Sequence, residues 1–134
     1  MQNLFYDYAV IRIVPKVDRE EFINAGVILF CSDKDFLKAG VVLDEKRLKI
    51  FDPGIEVELV RTHLDAIKAI CEGSASAGSI GKLSRRERFH WLTSPKSTII
   101  QTSPVHSGYC KNPSDELNEL LDKMVKVSLG KKSR

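Results

Sequence analysis

The sequence predicts a single α+β domain, a mostly antiparallel sheet of about four strands with two long helices packed on it. Three observations predict it. Apolar, β-branched runs near the start are joined by turns too short for parallel crossovers. Two later segments carry apolar stripes at three- and four-residue spacing. The chain of 134 residues, 43% apolar and 29% charged, suits one soluble domain rather than a disordered or disulfide-dense one.

The first strand is expected over Phe5 to Val14, where Pro15 interrupts it. Arg12 stands inside that apolar run and needs water or a partner. Asp18 and Glu21 have the spacing of a capping box for a short helical turn. Ala25 to Cys31 is apolar without alternation, the pattern of a central strand covered on both faces. After a turn at Ser32-Asp33-Lys34-Asp35, Phe36 to Leu43 returns as a third strand.

Asp44 to Phe51 reads as one helical turn, and the first long helix is expected to start at Asp52-Pro53-Gly54. Its stripe is Val57, Val60, Leu64, Ile67 and Cys71, and Gly73 closes it. The Gly/Ser-rich segment 73–83 is expected to be a flexible loop. It is no phosphate loop, because Ser79 and Ile80 stand where Lys and Ser/Thr are required and a helix precedes it. Ser84 and Glu87 propose a capping box for a short helix ending near Leu92. Between Pro95 and Pro104, Ser97 to Gln101 has strand propensity. The last helix has Asn112 as cap and Pro113 in first position, with Leu117, Leu120, Leu121, Met124 and Val127 as its stripe. Gly130 ends it, so the domain is drawn over 1–129 with a frayed basic tail at 130–134.

Composition narrows the function classes. No apolar run approaches the ~20 residues of a membrane span, and the first residues lack a signal-peptide pattern, so a cytoplasmic protein is expected. Cys31, Cys71 and Cys110 are far apart and form no CxxC pair, and the histidines offer no paired ligands, so neither a disulfide framework nor a metal site is expected. No cofactor motif is present. Residues 1–72 carry 10 basic and 13 acidic side chains, residues 73–134 carry 11 and 5. A basic C-terminal half suits an acidic partner, a phosphate or a nucleic acid.

Arg85 to Gly108 concentrates the chemistry. It holds the single Trp, two of the three His and two copies of Thr-Ser-Pro. Arg86 suits a phosphate or carboxylate, and Ser94, Ser97 and Ser103 can add hydroxyl donors. Each Ser-Pro equally reads as a turn, and Trp91 as core. A triad built on Ser94 or Ser103 with His106 lacks the Gly-x-Ser-x-Gly elbow, with only Glu21 or Glu87 to orient it. Phe89, Trp91 and Tyr109 among basic residues offer a stacking surface for nucleic acid, though no nucleic-acid motif appears.

Three blocks carry a family resemblance: Tyr8 to Pro15; Glu21 to Phe30; and Arg88-Phe89-His90-Trp91-Leu92-Thr93-Ser94-Pro95, continuing through Ser97-Thr98, Gln101 and Ser103 to Gly108. In these blocks the chain resembles the bacterial "domain of unknown function 3037" family from Tyr6 to about Val125. The resemblance implies a genomic neighbour, a kinase resembling the HipA toxin type, and so an accessory or binding role beside it. It brings no catalytic residue. It points to Arg12, Glu21, Asn24, Arg86, Trp91, Ser94, Ser97, Gln101, Ser103 and His106 as candidate binding positions. The expectation is therefore a small accessory protein that meets a HipA-like kinase or another protein, or a phosphate-bearing ligand. A small enzyme or nucleotide-binding domain using the same residues is the alternative, and nucleic-acid binding a further one.

Overall fold

A computed structural model describes residues 3–126. Five strands form one sheet: β1 (Leu4–Ile13), β2 (Ile23–Cys31), β3 (Phe36–Val41), β4 (Ile100–Thr102) and β5 (His106–Cys110). All the pairings are antiparallel, in the order β3-β2-β1-β4. Strand β1 is long enough to serve two neighbours along one edge. Its second half pairs with β4 and its first half with β5. The single strand expected over Ser97 to Gln101 is thus a later, shorter one, followed by a break and a fifth strand.

Four helices cover the sheet: α1 (Glu45–Phe51), α2 (Val57–Glu72), α3 (Arg85–Thr93) and α4 (Pro113–Met124). The two faces follow from the alternation along the strands. Ile11, Ile13, Ile28 and Phe30 pack against Leu48, Val60, Leu64, Phe89 and Leu92 of α1, α2 and α3. Leu4, Tyr6, Val27, Leu29 and Cys31 pack against Leu117, Leu120 and Leu121 of α4. Every residue of β2 but Asn24 is buried, as its unbroken apolar run requires. Helix α4 lies so close to β3 that a Cβ on Gly40 would stand 2.5 Å from Leu121 Cδ1.

Local signals hold in several places. The Ser84–Glu87 capping box is complete: the Glu87 N–H donates to Ser84 Oγ and the Ser84 N–H donates to Glu87 Oε1. The Ser84 N–H, and after it the Ser84 side chain, hold the Glu87 carboxyl below its usual range. Asn112 caps α4 through the Asp115 N–H. Gly73 ends α2 at φ +68°, the left-handed region that favours glycine.

Others do not. Asp18 makes no cap, because Val17–Arg19 is a 3-10 turn closed by Glu20 at φ 58°, and the chain then enters β2. The first long helix starts at Val57, not Asp52, because α1 is a full seven residues capped by Asp44 and leaves Pro53-Gly54 for the link. The Gly/Ser segment forms two 3-10 turns, Ala75–Ala77 and Ile80–Lys82, with Ala77 and Ile80 against the core. Val127, Gly130 and the tail at 130–134 lie outside the described residues.

Candidate functional site

The site grows from an irregularity in β1. Ile11 pairs with Gly26 but Arg12 pairs with Asn24, so the register skips Ala25. Such a bulge twists the strand and re-aims its side chains. On its other side Arg12 pairs with Gln101 of β4. Paired residues share a face, so Asn24, Arg12 and Gln101 make a polar row across three strands. The row sits at the end of α4, where Asn24 Nδ2 donates to the Met124 carbonyl at 3.0 Å.

Arg12 lines a cavity of about 340 Å³ together with Phe22, Lys96, Ser97 and Gln101, and with Glu20. Its guanidinium carbon lies 4.1 Å from the centroid of the Phe22 ring, a cation–π contact. It makes no ion pair among the described residues, and its Nε is buried without a hydrogen-bond partner. Gln101 Nε2 spends one donor on the Thr98 carbonyl at 3.0 Å and keeps a second.

Lys96, which the sequence reading left out, anchors the rim. Its Nζ donates to the carbonyls of Trp91 at 2.7 Å and Ser94 at 3.2 Å, capping the end of α3. It also lies 4.7 Å from the centroid of the Trp91 ring. Burial holds its ammonium below the usual lysine range. The signal for it was a lysine just beyond a helix end and a Pro. Trp91 is 41% exposed and faces a second cavity of about 260 Å³, walled by Ile67, Ile70, Leu92 and Ile100. Lys96 and Gln101 line both cavities.

The remaining candidates sit elsewhere. Ser94 is exposed, and its Oγ donates to the Trp91 carbonyl at 2.8 Å. Ser103 is buried, and its hydroxyl bonds the backbone of Val10 and Pro104. Glu21 is exposed and paired to Arg19 at 2.8 Å, which holds its carboxyl below the usual range. Arg86 is exposed on α3 with its guanidinium carbon 5.3 Å from the Phe30 ring centroid. His106 lies 5.4 Å from the Tyr8 ring, on the sheet face that α4 covers, whereas Phe30 belongs to the opposite face. The sheet therefore separates Arg86 from His106. Asn24 also opens onto a third, mostly apolar cavity of about 610 Å³, with its Oδ1 buried and unpartnered.

Arg88 differs from Arg86 in fate. It is 7% exposed and donates to the carbonyls of Ile70 at 2.8 Å, Cys71 at 2.9 Å and Leu83 at 3.0 Å, tying α3 to the end of α2. The three cysteines are free and buried, and burial pushes the Cys71 thiol up to about 12. Among the described residues no group of three His, Cys, Asp or Glu is placed to hold a metal ion, and no helix is long and apolar enough to cross a membrane.

Fold and candidate site together define a small α+β domain in which a strand arginine, unpaired among the described residues, opens into a cavity at a sheet edge. The family model described as "Protein of unknown function (DUF3037)" matches residues 8–125, and the chain belongs to that family. No curated protein and no solved structure matches it.

Proposed function

We propose that this domain is a binding module that holds an anionic group of its partner, a phosphate or a carboxylate, in the cavity at Arg12. The observation that carries the reading is Arg12 itself, a cation set in a strand, unpaired among the described residues, with a buried and unpartnered Nε. A buried donor without an acceptor costs about 1–3 kcal/mol. Such a cost in a strand position that Thr or Gln could fill suits a binding role better than a structural one. Gln101 and Ser97 supply neutral donors on the same wall. Lys96 adds positive potential, though its protons go to the α3 carbonyls. Glu20, also in the lining, has to point away from a bound anion.

The partner we propose is the HipA-like kinase implied by the family resemblance, met through this cavity rather than through Arg86 and His106. The supporting chemistry is that a kinase offers phosphate-bearing and acidic segments. The test is thermal unfolding of the full chain against inorganic phosphate, with chloride at matched ionic strength. A ligand that binds only the folded state raises Tm with concentration. Phosphate is expected to raise Tm for wild type and for Arg86→Ala but not for Arg12→Gln. Equal rises in wild type and Arg12→Gln would sink the reading. A nuclease-treated pull-down with the same variants tests the kinase: loss of that kinase in Arg12→Gln alone is the expected result.

A further inference from the structure

Strand β4 ends the sheet, and the two cavities flank it. The register says which of its main-chain groups are spoken for. The Val14 N–H donates to the Ile99 carbonyl at 2.6 Å, and the Ser103 N–H donates to the Val10 carbonyl at 2.8 Å. In an antiparallel ladder, residues facing a neighbour alternate with residues facing away. Ile99, Gln101 and Ser103 therefore face β1, and Ile100 and Thr102 turn their N–H and C=O groups outward. One outward acceptor, the Ile100 carbonyl, takes the Thr98 hydroxyl at 2.8 Å and keeps a second lone pair. No strand lies beyond β4 in the sheet among the described residues.

The same alternation sorts the side chains. Ile100 and Thr102 line only the apolar cavity under Trp91, whereas Gln101, which borders both cavities, pairs with Arg12 and shares its face. A strand laid along β4 sends successive side chains to opposite faces. One set meets the apolar cavity and the other meets the Arg12 cavity. We infer that β4 is a docking edge for an extended peptide of a partner protein, added antiparallel to the sheet, with apolar residues alternating with acidic ones. The inference rests on the anion-binding reading of Arg12 and gives that anion a source, a carboxylate side chain. Strand addition of this kind draws affinity from the main chain and specificity from side pockets.

The edge is guarded in a way that fits selective pairing. It is three residues long and lies between Pro95 and Pro104, with Lys96 beside it. Short edges, Pro and Lys discourage indiscriminate strand pairing. Binding then depends on filling both cavities, which restricts the partner to the alternating pattern.

The probe is a capped octapeptide alternating isoleucine and glutamate, titrated into the full chain. Amide hydrogen exchange and the Arg12 side-chain resonance are followed by NMR. Bound peptide is expected to slow exchange at Ile100 and Thr102 by about tenfold or more, the protection a paired edge amide gains. N-methylation at every isoleucine removes the groups that face β4 and is expected to abolish this slowing. N-methylation at every glutamate touches only outward groups and is expected to preserve it. Thr102→Pro deletes one outward donor and is expected to weaken binding at least about tenfold, the loss of a charge-free hydrogen bond or more. If both N-methylated peptides bind alike, strand addition is overturned even when Arg12 responds. If the octapeptide does not bind while inorganic phosphate still moves Arg12, strand addition fails and the anion site stands. If neither moves Arg12, both readings fall together.

Discussion

The two copies of Thr-Ser-Pro, at 93–95 and 102–104, are identical in sequence and unlike in use. The first ends a helix. Thr93 Oγ1 donates to the Phe89 carbonyl at 2.9 Å, Ser94 Oγ to that of Trp91, and Lys96 caps the same turn. The second breaks an edge strand. Pro104 has no N–H to offer on the outward side of the strand. Just before it, Ser103 ends the pairing with β1: its Oγ accepts the Val10 N–H at 2.9 Å and donates to the Pro104 carbonyl at 2.9 Å. In both copies the serine hydroxyl bonds nearby backbone: the Trp91 carbonyl, to which Pro95 has no N–H to offer, in the first, and the Val10 N–H of the neighbouring strand in the second. The burial differs as well, with Ser94 exposed and Ser103 4% exposed. A shared tripeptide therefore reports a shared backbone need and not a shared ligand.

Mutations sharpen that contrast. The largest effect is expected for Ser103→Ala, which leaves the buried Val10 N–H without its acceptor and costs about 1–3 kcal/mol in urea unfolding. A loss no greater than that of Ser94→Ala would erase the distinction between the copies. Lys96→Met comes next, at about 0.5–1.5 kcal/mol, since it strips the α3 end of its cap while keeping the stem. It is also expected to speed amide exchange in the last turn of α3. Ser94→Ala is the smallest, within about 0.5 kcal/mol, because its site is solvated and Lys96 still bonds the Trp91 carbonyl.

Much of the fold was legible because it is written in local patterns. The unbroken apolar run of β2, the Ser84 capping box and the Asn112-Pro113 start each act within a few residues. For the candidate site the sequence offered residue types and not their placement. Arg12 was marked by a charge inside an apolar strand, yet the bulge that seats it opposite Asn24 and Gln101 depends on pairing between distant segments. Arg86 and Arg88 have the same side chain two positions apart, about 200° around the helix, so one meets solvent and the other the α2 carbonyls. The sequence singled out Arg86 as the candidate and gave no sign that Arg88 would be buried; the packing of α3 on α2 shows it. The pairing of β1 with both β4 and β5 was hidden because a five-residue stretch between two prolines looks like one strand.

Arg12 behaves opposite to Ser103 in this scheme. Ser103 is a polar group that the fold needs, and Arg12 is one that the fold tolerates. Arg12→Gln is accordingly expected to leave stability within about 0.5 kcal/mol of wild type, or to raise it, since an unpartnered buried donor is removed.

The most direct measurement is an NMR titration of the arginine Nε–H resonances with inorganic phosphate, with the Arg12 signal assigned by its absence in Arg12→Gln. This one resonance is expected to shift and saturate while those of the exposed arginines drift only with ionic strength. A static Arg12 signal, or a saturating shift at Arg86 instead, would contradict it.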